Sequence, residues 1–334
     1  MLERTKLRNR ILSTPLWRAV AFLLLNTPLV VDNPVYRYVY QRRINRVIEA
    51  SLEKPQLLML ETTNICNLRC PNCTNKDMQR KRGFMEFDIY KKVIDECVTL
   101  GVNDLWITGG EPTLHSQLVD QVSYAKAQGI ESLALITNAQ LLTPFLSGRL
   151  IEAGLDKLDV SIDAATPETY SKMRPPGNLK TVEDNLEAFI RLKSEMKASK
   201  PQVTVKLIKE TRNANEVALF RRKWGGLADE IYISFLHNWG GAINKKEPKW
   251  RGGHKRYPCS WVFRRMYICW DGRVSFCCLD SEAKTILGDI KRMSIKEIWH
   301  SQELRAIRQA HLDGDFSKIS LCDKCSFRDV WWLY

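Results

Sequence analysis

Leu57-Leu-Met-Leu-Glu61, followed after four intervening residues by Cys66-Asn-Leu-Arg-Cys70-Pro-Asn-Cys73, is the stretch from which the rest of the chain is read. A short apolar run that gives way to polar residues is the pattern of a buried strand leaving a core. Behind it come three thiols within eight residues, beside a proline. Such spacing points to metal ligation in a reducing compartment, because disulfide scaffolds are usually short and secreted. Three thiolates are one fewer than a closed four-iron cluster takes, so one iron would keep an open position. A zinc ion borrowing its fourth ligand from elsewhere is the alternative.

The same unit, an apolar run, a loop and an amphipathic stretch, recurs along the chain. Strands are predicted at Leu57–Glu61, Asp104–Thr108, Ser132–Thr137, Lys157–Ile162, Gln202–Ile208 and Glu230–Leu236. Helices are predicted between them at Glu86–Leu100, Gln117–Gln128, Pro144–Ala153, Val182–Lys197 and Asn215–Trp224. This alternation implies parallel strands joined by right-handed crossovers. The fold class is therefore α/β, a partial (β/α)6 TIM-like barrel whose chemistry should sit at the C-terminal strand ends.

After Gly240 the rhythm changes. Gly240–Gly253 is a polar connector, and Asp271-Gly272 between Met266–Trp270 and Arg273–Cys277 signals a hairpin, since both turn residues tolerate positive φ. Ser294-Ile-Lys-Glu297 reads as a capping box opening a helix towards His311. Three segments result: an N-terminal helical extension (1–54), the barrel (55–240) and a small C-terminal α+β module (241–334).

The predicted strand ends carry polar groups, as the barrel rule requires. Thr108-Gly109-Gly110-Glu111-Pro112 closes the second strand; paired glycines let backbone approach a ligand closely, and a carboxylate accepts hydrogen bonds from an ammonium group. Thr137-Asn138 follows the third strand and Ser161-Ile-Asp163 the fourth, with Arg174 beyond it as a partner for a carboxylate. Asn and Asp also start ordinary turns. Lys206, Glu210, His237 and Asn238 lie near the last two strand ends, where they could face a substrate.

With the cysteine trio and the Gly-Gly-Glu-Pro turn at this distance from it, Leu57–Leu236 resembles the radical S-adenosylmethionine (SAM) superfamily. The resemblance implies that Cys66, Cys70 and Cys73 hold a [4Fe–4S] cluster whose open iron is chelated by SAM. It also implies reductive cleavage of SAM to a 5′-deoxyadenosyl radical, which abstracts hydrogen from a substrate carbon. Gly109, Gly110, Glu111 and Pro112 inherit the binding of the SAM amino group; Thr137, Asn138, Ser161 and Asp163 inherit contacts to its carboxylate or ribose. Relatives often place Phe or Tyr beside the cysteines to stack on adenine. Asn72 stands there, so that contact is not carried over.

Twelve residues separate Cys259 from Gly272 and four separate Gly272 from Cys277, with Cys322 and Cys325 further on. This set resembles the start of the SPASM auxiliary-cluster pattern, without the further cysteines of the full version. The resemblance implies one auxiliary [4Fe–4S] cluster on Cys259, Cys277, Cys322 and Cys325, as in the shortened twitch-like form; zinc on the same four residues is the alternative. Cys278 could replace Cys277. Cys97 reads as a packed helical thiol, and Cys269 as a free thiol able to return a hydrogen atom to a substrate radical.

The expected function is a radical SAM oxidoreductase or epimerase acting on a sugar or another polyol, with peptide maturation and a non-catalytic iron–sulfur carrier as alternatives. The expected partners are a small-molecule or peptide substrate and an external one-electron reductant of the flavodoxin or ferredoxin type. The chain of 334 residues carries a net charge of +13, part of it at Arg4, Lys6, Arg8, Arg10, Arg37, Arg42, Arg43 and Arg46. Without aromatic interleaving this does not indicate specific nucleic-acid binding. The apolar stretch Leu16–Val31 is too short and interrupted to span a bilayer, which takes roughly 20 residues. It reads as a helix packed on the rest of the chain or, alternatively, as a membrane-surface contact. No convincing signal-peptide cleavage site follows, so a cytoplasmic location is expected, with membrane association as the alternative.

Overall fold

The structure, a computed structural model of the chain, describes residues 33–243 and 257–326. Leu16–Val31, most of the connector Gly240–Gly253 and the residues after Ser326 lie outside the described residues. There are two compact units, Ser51–Leu236 with Trp261–Ala306, and Met1–Ala50 with His237–Ser260 and Ile307–Tyr334.

The smaller unit contains α1 (Pro34–Glu49). Asn33 caps it by accepting from the Val35 amide, and Pro34 supplies the preset φ of a first helical turn. The larger unit then runs β1 (Leu57–Thr63), α2 (Phe87–Leu100), β2 (Asp104–Gly109), α3 (Leu118–Ala127), β3 (Ser132–Thr137) and α4 (Pro144–Glu152). It continues through β4 (Lys157–Ser161), α5 (Pro167–Met173), α6 (Leu179–Glu195), β5 (Gln202–Lys209), α7 (Val217–Trp224) and β6 (Glu230–Phe235). After the connector come α8 (Trp261–Arg264), β7 (Arg265–Ile268), β8 (Arg273–Ser275), β9 (Ile286–Asp289) and α9 (Ile295–Trp299). Helix α10 (Gln302–Asp313) contributes residues to both units, and α11 (Ser320–Asp323) belongs to the smaller one.

One sheet of order β6-β5-β4-β3-β2-β1-β7-β8-β9 carries the larger unit. Its first six strands are parallel and added one after another on the same side, as successive β/α units require. The predicted hairpin forms as β7 and β8, but β7 also pairs in parallel with β1, Leu57 opposite Arg265 and Leu60 opposite Ile268. That pairing explains why Trp261–Ala306 joins the barrel unit instead of the rest of the C-terminal segment. In the hairpin turn only Gly272 uses positive φ (+89°), while the Asp271 side chain accepts from the Arg273 amide. The capping box at Ser294 and Glu297 is present, yet the helix it opens stops at Trp299 and α10 begins afresh at Gln302.

Leu58, Leu60, Leu105, Ile107, Leu133, Leu135, Leu158, Val160, Val205 and Leu207 alternate along the strands and are fully buried. Helix residues such as Val93, Cys97, Val122, Leu150, Leu186, Phe189 and Phe220 complete this apolar layer, each full-sized side chain adding about 1.5–3 kcal/mol by its burial. The other sheet face carries Met59, Trp106 and Tyr267 in register, with Lys206 opposite Tyr232. The Lys206 ammonium on β5 lies 5.7 Å from the centre of the Trp106 ring on β2. Those strands stand three apart, roughly 14 Å across a flat sheet at ~4.8 Å per strand. The sheet therefore curls around this face, which becomes the inside of an open barrel.

Candidate cluster and cofactor site

The cysteine loop leaves the end of β1 and is held there by backbone contacts with the Gly-Gly-Glu-Pro turn. Gly110 N–H donates to Thr63 O (2.7 Å) and Glu111 N–H to Ile65 O (2.8 Å). A Cβ on Gly110 would stand 2.1 Å from Ile65 O, and one on Gly109 (φ +120°) 2.4 Å from Thr63 O. The paired glycines thus admit the backbone of the cysteine loop itself. Asn64, fully buried, ties the same loop to its return: it donates to Lys81 O, accepts from Gly83 N, and its own carbonyl accepts from Asn75 and Arg82.

Two of the three thiols receive amide donors in the same pattern, Leu68 N–H to Cys66 Sγ and Asn75 N–H to Cys73 Sγ, both at 3.4 Å. Burial pushes the Cys66 thiol up to about 12, with Glu111, Cys70 and Cys73 adding to the rise. Cys70 and Cys73 are also raised by burial, while the Arg174 guanidinium pulls both the other way. Lys76 and Arg82 act on Cys73 in the same lowering sense. Buried sulfurs with amide donors and flanking cations form the donor set that a net-negative iron–sulfur cluster requires.

Glu111 is the hub of the cofactor candidates. Its carboxylate accepts from the Thr113 amide and hydroxyl, from the Thr137 hydroxyl (2.6 Å) and from the Asn138 amide (2.7 Å), and burial raises its pKa. The Asn138 side chain in turn donates to Asn67 inside the cysteine loop (2.8 Å). The ends of β2 and β3 and the cysteine loop are thereby one network. Asp163, at φ +63°, accepts from Arg174 Nε and Nη2 and from the Ile208 amide. Arg174 thus finds its carboxylate partner within the chain. Arg69 N–H donates to Pro175 O (2.6 Å), so the segment after α5 also grips the cysteine loop. Ser161 ends β4, where Lys206 stands opposite it in the ladder.

The sequence does not single out Glu61 and Arg80. Arg80 donates to both carboxylate oxygens of Glu61, which also accepts from the Tyr267 hydroxyl (3.0 Å) and the Trp270 amide (3.3 Å). Arg80 Nε reaches Ser281 O (2.6 Å) and its amide reaches Glu282, joining the segment after the cysteines to the hairpin region. Only the charge and position of Glu61 at a strand end hinted at this. Cys269 is fully buried in an apolar cluster with Leu57, Met59, Tyr267 and Ala283, against which Trp106 and Cys278 pack.

Of the second cysteine set, Cys259, Cys322 and Cys325 lie in the smaller unit and Cys277 in the larger one. Cys325 N–H donates to Cys322 O (3.2 Å), the same turn that Cys73 N–H makes to Cys70 O (3.1 Å). His311, held neutral by burial that lowers its pKa to about 4, accepts from Cys259 N–H on Nδ1. Asn238, read from sequence as a group that could face substrate, instead donates to Lys324 O and exchanges two hydrogen bonds with Ser326, clasping the Cys322–Cys325 turn. His237 packs its ring against Trp239, 5.0 Å between centres. Cys277 Sγ accepts from Leu279 N–H at 3.4 Å, the i+2 pattern of Cys66 and Cys73. Among the described residues no group of three or more His, Cys, Asp or Glu is arranged to hold a metal ion.

Residues 60–208 match the radical SAM superfamily and residues 259–326 the SPASM iron–sulfur cluster-binding domain. The chain therefore carries a radical SAM region followed by a C-terminal SPASM domain. A [4Fe–4S] cluster, SAM and an auxiliary iron–sulfur cluster are the cofactors this implies. It is 34% identical over 134 residues to a probable GTP 3′,8-cyclase of Methanococcus maripaludis, covering 40% of this chain and 45% of that one. The chain thus spans about half the length of this relative. In fold it resembles BtrN in complex with AdoMet and 2-DOIA (TM-score 0.56, 19% identity, 81% of this chain and 92% of that one). It also resembles Streptococcus suis SuiB bound to precursor peptide SuiA (TM-score 0.63, 13% identity, 83% and 72%).

Proposed function

We propose that the protein forms a radical on a carbon of a sugar or another polyol and resolves it by oxidation or epimerisation. The observation that carries this reading is the inner sheet face. Asp159, Lys206, Tyr232 and Tyr267 crowd it with hydrogen-bonding groups below strand ends that bear the cysteine loop and Glu111. A polyol, offering many hydroxyls and little apolar surface, suits such a wall. The GTP 3′,8-cyclase relative is named for a nucleotide substrate, and a polyol carried on a nucleotide or a lipid fits the same reading.

Cys66, Cys70 and Cys73 would hold the four-iron cluster, leaving one iron for SAM. Together, when bound, these cofactors supply a hydrogen-abstracting 5′-deoxyadenosyl radical. Gly110 and Glu111 would accept the SAM ammonium, and Thr137, Asn138, Ser161 and Asp163 would line its carboxylate and ribose. Cys259, Cys277, Cys322 and Cys325 would hold one auxiliary cluster, with Cys278 as the alternative to Cys277. Exposed Lys81 and Arg82 follow the cysteine loop and would suit an acidic one-electron carrier.

Reconstituted protein should bind about eight irons per chain if both sites hold four-iron clusters; about four would remove the auxiliary one. The Cys66→Ala/Cys70→Ala/Cys73→Ala protein should lose reductive SAM cleavage, and continued 5′-deoxyadenosine formation would sink the assignment. In deuterated water, deuterium at the abstracted carbon marks epimerisation, and a carbonyl product marks oxidation.

A further inference from the structure

An ion pair between the loop after β4 and the end of α5 borders the cysteine loop. Arg174 Nε and Nη2 both donate to Asp163 Oδ2, at 3.0 and 2.6 Å, and the two side chains are only 11% and 9% exposed. Asp163 is fixed from β5 and beyond. Its Oδ1 accepts from Ile208 N–H (2.7 Å), its carbonyl accepts from Asn213 Nδ2 (2.8 Å), and its own N–H donates to Lys206 O (3.3 Å). The residues after Arg174 reach the cysteine loop: Pro175 O accepts from Arg69 N–H, and a Cβ on Gly177 would stand 3.0 Å from Leu68 Cδ2. Leu68 and Arg69 lie between Cys66 and Cys70.

The pair leaves donors over. A guanidinium has five N–H groups, and its strongest pairing engages both oxygens of a carboxylate. Asp163 offers Arg174 one oxygen, and Arg174 Nη1 meets no acceptor among the described residues. Burial opposes the charge on Arg174, but Asp163 and Cys70 outweigh it, so the guanidinium stays protonated. Burial also raises the thiols of Cys70 and Cys73, and of the cations opposing that rise Arg174 acts most strongly on each. Lys76, which also acts on Cys73, is 32% exposed and paired with Asp77, and Arg82 is exposed, so water screens both. The same charge acts more strongly in a dry surrounding. Reduction adds one negative charge to an iron–sulfur cluster, whose potential follows net charge, hydrogen bonds to sulfur and exposure. A buried cation felt at two of the three sulfurs therefore eases reduction, and a buried carboxylate hinders it.

We propose that Arg174 sets the reduction potential of the cluster on Cys66, Cys70 and Cys73, raising it towards the reach of the external one-electron carrier. Asp163 is the positioning residue that holds the guanidinium and limits the rise. The step concerned is the transfer of one electron from that carrier to the cluster, in which no bond forms or breaks. The inference rests on the reading that these three cysteines hold the cluster.

The test is a redox titration of the reconstituted full chain followed by electron paramagnetic resonance, without SAM, so that SAM binding has no part in the midpoint. The signal to follow is the one absent from the Cys66→Ala/Cys70→Ala/Cys73→Ala protein. Arg174→Met should make reduction at least tenfold less favourable, a midpoint about 59 mV more negative for one electron. Asp163→Asn should shift it the opposite way, and Arg174→Lys should stay closer to wild type than to Arg174→Met. The double variant Arg174→Met/Asp163→Asn should fall between the two single ones. Iron content is measured on each preparation. If Arg174→Met retains too little iron to titrate, Asp163→Asn decides, and a midpoint that is unmoved or more negative overturns the proposal. Midpoints equal to wild type, or moving the same way in both single variants, overturn it as well; a merely structural pair has no reason to give shifts of opposite sign. A triple-alanine protein that keeps every signal defeats the cysteine assignment instead. Loss of that signal with unmoved midpoints defeats only the role of Arg174.

Discussion

Gly110 illustrates what single positions decide here. Sequence marks it as a glycine near a ligand; the structure shows that the Ile65 carbonyl occupies the space a side chain would need. Gly110→Ala should therefore cost about 1–3 kcal/mol, as overpacking does, and should displace the cysteine loop. The expected outcome is a lower melting temperature together with reduced iron content after reconstitution; unchanged iron retention would show that the loop tolerates the shift. Asn138 and Thr137 were legible as polar residues at a strand end. Their partners, Asn67 and Glu111, were not, because a hydrogen bond between residues 71 or 26 positions apart leaves no local periodicity. Asn238 shows the reverse case: a polar residue near a strand end, plausible as a substrate contact, serves to clasp the Cys322–Cys325 turn.

At the scale of elements, two carboxylates join strands to their surroundings. The Glu61–Arg80 pair is almost fully buried and tied to β7 through Tyr267. Breaking a buried pair by removing one partner costs about 3–5 kcal/mol, whereas replacing both with apolar groups is often nearly neutral. Arg80→Met should thus be severely destabilised in urea unfolding, and Glu61→Leu/Arg80→Met should recover most of the loss. Equal midpoints for the single and double variants would contradict this. Asp156, just before β4, accepts from Lys126 on α3, from Lys200 and from the Leu133 amide at β3. Burial pushes its pKa up, but these donors outweigh it and hold the carboxyl below its usual value. Its contribution is therefore complete above the ordinary aspartate pKa of about 3.9 and fades as pH falls through the depressed value. Asp156→Asn should be less stable than wild type at pH 7 by about 1–3 kcal/mol, with the gap closing below about pH 4. Strand and helix positions were readable to within a few residues because alternation and capping are local. Helix α5 was not foreseen, although Thr166-Pro167 is a start signal, because seven residues are too few to display a helical period.

For the molecule as a whole, the net charge of +13 finds an expression in α1. Tyr40 and Ile44 are buried, while Val35, Tyr38 and Val39 remain 69%, 57% and 49% exposed, beside Arg42, which lies over the Tyr38 ring at 5.0 Å. No helix among the described residues is long and apolar enough to cross a membrane. An apolar strip edged with arginines is the composition of a surface contact with anionic lipid. The full chain should sediment with phosphatidylserine vesicles more than with phosphatidylcholine vesicles, and Val35→Ser/Val39→Ser should reduce that retention; equal retention on both lipids would exclude an electrostatic contact. By itself the sequence determined the cysteine loop, the Gly-Gly-Glu-Pro turn, the six alternating units and the hairpin, since each is written in neighbouring residues. The tertiary structure alone decided that β7 joins β1, that Trp261–Ala306 goes with the barrel, and that Lys206 and Trp106 face one another. The cysteine trio therefore marks the site from sequence alone, but the walls around it come from strands far apart in the chain, and only closure of the sheet brings such residues within reach.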